Sequence, residues 1–189
     1  EYAEPSASES KEGVLKIRIS TGEKSRVATE KAKKICAVSE NQMAVLHMEC
    51  INEDEIIDHG EMSAVQAKYW ITLYDTEEGK KQWSSVPYTV SGYTIPETLL
   101  LRDMEINGEL KKVLVVSAKD RIQLIDAENG TVIREGIFRE DIVNVVQADK
   151  RRLLVGLSDG SVMIGTVEDM SANTEVGSVS GKILDFTFS

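Results

Sequence analysis

An all-β fold is what this sequence predicts, on three observations. Short runs rich in Val and Ile recur along the chain. Gly, Asn, Asp or Ser stands at nearly every boundary between them, and no helical apolar spacing persists beyond a turn. The 189 residues are 41% hydrophobic but only 5% aromatic, so a core must be built mainly from Val, Leu and Ile. The length suits one domain or a piece of one, at about 100–200 residues per domain.

Residues 1–12 (EYAEPSASESKE) carry Pro, Ser and Glu with almost no large apolar side chain, and are expected to form a flexible lead-in. Over 13–189 the strand-like runs begin with VLKIRI (14–19), SRVA (25–28), KICAV (34–38) and QMAVLHM (42–48). They continue with YWITLY (69–74), KQWSSV (81–86), ETLLLRD (97–103), KVLVVS (112–117) and RIQLID (121–126). TVIREG (131–136), DIVNVV (141–146), RLLVGL (152–157), SVMIGTV (161–167), EVGSV (175–179) and KILDFTF (182–188) complete the series. Helix formers cluster at 30–34 and 63–68, but both stretches fall short of the roughly 12 residues a helix needs alone. One helical turn around 62–67 is the most they allow.

The balance of 22 basic to 32 acidic residues gives a net charge of −10. That opposes nucleic-acid binding, which needs positive surface to displace counterions from phosphates. No run approaches the roughly 18 apolar residues of a membrane span, and direct membrane insertion is not expected. The two cysteines, Cys36 and Cys50, form no disulfide framework. They fit free thiols in a reducing, cytoplasmic setting.

The chain repeats itself. Ile71-Thr-Leu-Tyr-Asp75-Thr-Glu-Glu-Gly79-Lys-Lys-Gln-Trp83 superimposes without gaps on Ile122-Gln-Leu-Ile-Asp126-Ala-Glu-Asn-Gly130-Thr-Val-Ile-Arg134. Each half is a tight hairpin, in which Asp accepts turn amides and Gly takes the positive-φ position. Ile17–Gly22 is a shortened version. A second match aligns Val113–Ile122 with Leu153–Val162 at an offset of 39 or 40 residues. With four short strands per unit, that period is the mark of a β-propeller blade. About fifteen strands make three to four blades of four antiparallel strands, and a closed ring commonly needs at least about four. This chain is therefore expected not to close a ring alone. It would begin mid-blade and end just after a first strand, with the remaining blades supplied elsewhere.

Leu153-Leu-Val-Gly-Leu-Ser-Asp-Gly-Ser-Val-Met-Ile164 resembles a WD-repeat blade, and 181–189 is similar to the innermost strand that opens one. The Asp-x-x-x-Gly hairpins, with Trp83 eight residues after Asp75, are similar to quinoprotein-type repeats. Gly165-Thr166 stands where a Trp-Asp pair would close the third strand, and no Gly-His dipeptide occurs. The resemblance implies a rigid platform whose loops bind peptides, other proteins or other domains of the same parent.

Propeller connectivity sends alternate loops to opposite faces. The insertion 49–67 would be a second-to-third strand loop, carrying Glu49, Glu53, Asp54, Glu55, Asp58 and Glu61 with no Lys or Arg between 49 and 61. The opposite face would receive Lys111, Lys112, Lys150, Arg151 and Arg152, with Lys80 and Lys81. Tyr69, Trp70, Tyr74, Trp83, Tyr88 and Tyr93 gather in one stretch. The proline-bracketed loop 87–96 is its expected exposed part, and the cluster fits either a binding hot spot or the outer packing of one blade.

Catalytic chemistry finds little support. His47 lies inside an apolar strand and His59 in a loop, and no Gly-x-Ser-x-Gly elbow or phosphate-cradling glycine loop occurs. Cys36 reads as a small core hydrophobe. Asp103-Met-Glu105-Ile-Asn107-Gly108 resembles the start of a calcium loop but lacks the downstream bidentate Glu, and Asn-Gly suffices as a hairpin turn. Asn129-Gly130-Thr131 matches a glycosylation acceptor and is equally explained by turn chemistry. The expected function is a non-enzymatic protein-interaction scaffold without cofactor or metal. The partner-binding candidates are Glu53, Asp54, Glu55, Asp58 and Glu61 on one side and the basic rim on the other. The alternative is a luminal or extracellular quinoprotein- or integrin-like propeller that binds a ligand or calcium.

Overall fold

Alternating apolar residues between turn formers yield strands throughout a computed structural model that describes residues 14–17, 24–28, 32–51, 64–170 and 174–180. β1 (Val14–Ile17) and β2 (Lys24–Ala28) form an antiparallel pair. Sheet I runs β3 (Ala32–Ser39), β4 (Gln42–Cys50), β5 (Val65–Asp75), β6 (Lys81–Ser84), and β7 (Tyr88–Gly92) also pairs with β5. Sheet II is β8 (Glu97–Ile106), β9 (Glu109–Ala118), β10 (Arg121–Asp126), β11 (Val132–Ile137). Sheet III is β12 (Ile142–Gln147), β13 (Arg152–Leu157), β14 (Ser161–Thr166), β15 (Thr174–Ser178). Sheets II and III are meanders in chain order, as is sheet I from β3 to β6, and the first strand β8 lies between the first strands β3 and β12. This is a partial β-propeller of four-stranded antiparallel blades. Among the described residues no core joins sheet III back to β1 and β2, so the ring is not closed by them.

The two matched hairpins fold alike. Asp75 Oδ1 accepts the amides of Glu77 and Glu78 at 2.8 and 2.9 Å, and Asp126 Oδ1 accepts that of Glu128 at 2.9 Å. Gly79 and Gly130 stand at φ 65° and 76°, where a Cβ would be strained. Asn107 and Gly108 form the two-residue tip of the β8–β9 hairpin at φ 53° and 83°, the positive angles such a turn needs. The segment 103–108 is thus strand end and hairpin tip.

The cores are the seams between sheets. On β9, Leu114, Val116 and Ala118 face sheet I while Val113 and Val115 face sheet III, all fully buried. A strand apolar on both faces follows from being sandwiched. Val14, Val27, Val45 and Tyr74 make the smaller core between the first hairpin and sheet I.

Contacts at the sheet margins lock these seams. Trp83, on the outer strand of sheet I, donates Nε1 to the Ala127 carbonyl of sheet II at 3.3 Å. Its ring lies where a Cβ on Gly130 would be, at 2.5 Å. Arg134 aligns with Trp83 in the repeat and donates Nε to the Glu168 carbonyl of sheet III at 3.3 Å. Met170, fully buried, fills the trough left by Gly136 and Gly165, whose Cβ atoms would meet it at 2.7 and 2.8 Å.

Three expectations need correction. Residues 88–92 are strand β7, because Val90 and Tyr88 bury against the seam while their backbone pairs with Ala67 and Tyr69. Residues 65–67 belong to β5, so the helical turn around 62–67 does not form there. The same pairing shortens the insertion: Glu49 and Cys50 end β4 opposite Lys68 and Ala67, and the connection runs from 51 to 64. Residues 1–12, 18–23 and 181–189 lie outside the described residues.

Leu114→Ala should lower stability by about 3 kcal/mol through the cavity it leaves. Leu110→Ala, four residues away on the same strand but 58% exposed, should change it by less than about 0.5 kcal/mol. Chemical denaturation of both variants measures the difference.

Candidate interaction surfaces

The hairpin turns sort to two rims. On the first rim, Lys111 and Lys112 line one groove and Lys150, Arg151 and Arg152 another, and most of this charge is taken up locally. Lys111 Nζ lies 3.6 Å from Asp126, and Arg152 Nε donates to Asp149 Oδ2 at 2.6 Å. Arg151 donates from Nε to Glu168 at 2.9 Å, with a second contact from Nη2. The Arg152 side chain holds the Asp149 carboxyl below its ordinary range, and Arg151 does the same for Glu168. Among the described residues, Lys112 and Lys150 have no such ion pair. Two grooves open here. One of about 510 Å³ is lined by Glu105, Asp149, Lys150, Arg151, Arg152, Thr166 and Glu168. The other, about 330 Å³, has Val38, Leu110 and Ala127 beside Gln42, Lys111, Lys112, Asp126 and Glu128. The sequence showed the Lys and Arg runs and Asp149 beside them; Asp126 and Glu168 come from other strands and turns and were not visible as partners in it.

On the second rim lie the β4–β5 and β6–β8 connections. Glu53, Asp54, Glu55, Asp58 and Glu61 fall outside the described residues, as does His59. The ends of their connection are fixed, with Ile51 donating to the Gln66 carbonyl at 2.7 Å and Val65 paired to Gly92. Gly92 is followed by Tyr93, which is 67% exposed, and Val86 at the other end of β7 is 78% exposed. Lys119 clamps this connection, donating its amide to the Pro96 carbonyl at 3.0 Å and its ammonium to the Ser91 carbonyl. The described end of that connection at Val65 is therefore paired with the residue that precedes exposed Tyr93.

Between sheets I and II is a buried polar group that sequence reasoning missed. Tyr69 donates to Glu97 at 2.6 Å and stacks on Tyr88 at 6.0 Å between ring centroids. Arg121 lies 5.6 Å over the Tyr88 ring and 3.1 Å from Glu135, which also accepts from Gln123 at 2.6 Å. Burial is the main cause that raises both tyrosine pKa values; next comes Glu97, which accepts from Tyr69, while Arg121 partly opposes the rise at Tyr88. The Tyr88 hydroxyl is buried without a hydrogen-bond partner among the described residues.

The remaining candidates are structural in their surroundings. His47 is buried, stacked on Trp70 at 5.1 Å with Tyr74 edge-on at 6.2 Å. Cys36 is half-buried against the sheet I–II core, and burial pushes its thiol pKa up. Among the described residues, no group of three or more His, Cys, Asp or Glu is placed to hold a metal ion.

No family model matches the chain. No curated protein matches it. Among solved structures it is similar to BamB from Moraxella catarrhalis, with 16% identity and a TM-score of 0.35, over 61% of this chain and 33% of that one. The chain thus spans about a third of that protein's length. The propeller architecture rests on this chain's own sheets.

Both tyrosines have folded pKa values above the unfolded value of 10.0. Their contribution is complete below pH 10 and falls as the pH rises from there toward the folded values. Tyr69→Phe and Tyr88→Phe should each flatten this alkaline loss, read by denaturation at stepped pH. At neutral pH, Tyr69→Phe should cost about 1–2 kcal/mol and Tyr88→Phe nothing, because only Tyr69 gives up a hydrogen bond.

Proposed function

We propose that this chain is a non-enzymatic interaction platform, a WD-repeat-like propeller segment of a larger protein that presents its rims to other proteins or to other domains of the same parent. The observation that carries the reading is the juxtaposition on the second rim. Val65, which follows the connection bearing Glu53, Asp54, Glu55, Asp58 and Glu61, pairs with Gly92, the residue before exposed Tyr93. An exposed aromatic anchor next to concentrated negative charge suits a basic partner with an apolar residue to bury. Lys112 and Lys150 on the other rim form the weaker second surface, since Lys111, Arg151 and Arg152 are held by carboxylates. The unbridged cysteines support a cytoplasmic setting.

Retention of partners from a lysate, compared between wild type and variants, tests this reading. Reversing charge at Glu53, Asp54, Glu55 and Asp58 should slow association and remove its salt dependence. Tyr93→Ala should weaken retention about tenfold or more, as expected for a hot-spot aromatic. Unchanged retention of every partner by both variants would contradict it.

A further inference from the structure

We infer that, among the described residues, Asn107 is the site of spontaneous succinimide chemistry, a deamidation site that converts to aspartate and isoaspartate as the folded protein ages. Three turn tips among the described residues pair an acceptor side chain with a following glycine: Asn107-Gly108, Asn129-Gly130 and Asp159-Gly160. Glycine removes the steric barrier to attack, so sequence alone ranks Asn107 and Asn129 together.

The structure separates them. At Asn129 the electrophile and nucleophile are both engaged: Oδ1 accepts the Thr131 amide at 2.9 Å, and the Gly130 amide donates to the Asp126 carbonyl at 2.9 Å. The Trp83 ring also covers Gly130. At Asp159 the Ser161 hydroxyl and amide and the Arg139 guanidinium hold the carboxylate ionised, which makes it a poor electrophile. The Gly160 amide is bonded to the Leu157 carbonyl at 3.0 Å. The Asn107 side chain and its glycine are exposed at a hairpin tip, and nothing lies within 4 Å of where a Gly108 Cβ would stand.

In the reaction the Gly108 backbone nitrogen attacks Asn107 Cγ, forming a C–N bond. The bond from Cγ to the side-chain nitrogen breaks, and ammonia leaves carrying the amide proton. Water then opens the five-membered ring at either carbonyl. Aspartate leaves the backbone unchanged, whereas isoaspartate adds a methylene to a two-residue turn that sets the Ile106–Glu109 pairing. Both products add negative charge at the tip of the hairpin that carries Lys111 and Lys112.

The test is incubation of the whole folded chain in mildly alkaline buffer, followed by digestion and mass spectrometry of each site. Asn107 should convert about twenty-five-fold faster than Asn129, since each of two hydrogen bonds that must open there resists by about fivefold. In denaturant the two rates should converge, and Trp83→Ala should speed Asn129 in the folded chain. Asn129 keeping pace with Asn107 in the folded chain would overturn the assignment. So would a ratio unchanged by denaturant, because neighbouring sequence rather than structure would then set the rates.

Discussion

The seams between sheets I and II and between sheets II and III close where glycine leaves room for a neighbouring residue. Trp83 crosses from sheet I to lie where Gly130 has no Cβ, and Met170 of sheet III sits between Gly136 and Gly165. These contacts close the margins of cores that are otherwise plain aliphatic packing. With 5% aromatic residues, the chain has few large side chains to spend, and it places Tyr69, Tyr88 and Trp83 at one seam. Interdigitation at crystal-like density leaves little tolerance there for an added methyl group.

Once the seams are set, the turns follow, and with them the two rims. The first rim looked basic but is close to charge-balanced, because the turns that bring Lys and Arg runs forward also bring Asp126, Asp149 and Glu168 to meet them. Exposed pairs of this kind add little stability. They do lower the free charge available to a partner. The second rim has a different character: Tyr93 and Val86 stand clear of the surface on a connection that Lys119 holds in place.

The hairpin repeat was legible because its turns use fixed chemistry. Asp75 with Gly79 and Asp126 with Gly130 announce the same hairpin in sequence and form it in the structure. β7 was not legible, since prolines at 87 and 96 and a lone Gly-Tyr step read as loop, while its pairing partners, from Tyr69↔Tyr88 to Val65↔Gly92, lie far upstream in β5. The ion pairs of the first rim and the Tyr69–Glu97 contact were hidden for the same reason. Lys111–Asp126, Arg151–Glu168 and Tyr69–Glu97 each join residues from different strands or turns, and no local pattern encodes such a meeting; Asp149–Arg152, three residues apart in one turn, is the local exception. The equivalence of Arg134 with Trp83 was visible as an alignment, but that both donate to a carbonyl of the next sheet needed the coordinates.

A double-mutant cycle on Trp83→Ala and Gly130→Ala, measured by equilibrium denaturation, tests most directly whether seam contacts hold the sheets together. Alone, Gly130→Ala should suffer both its positive φ and the clash with the indole. With the indole removed, only the backbone strain of about 1–2 kcal/mol should remain. The account predicts a coupling of about 1–3 kcal/mol, the double variant being less destabilised than the two single costs combined. Additivity within about 0.5 kcal/mol would contradict it.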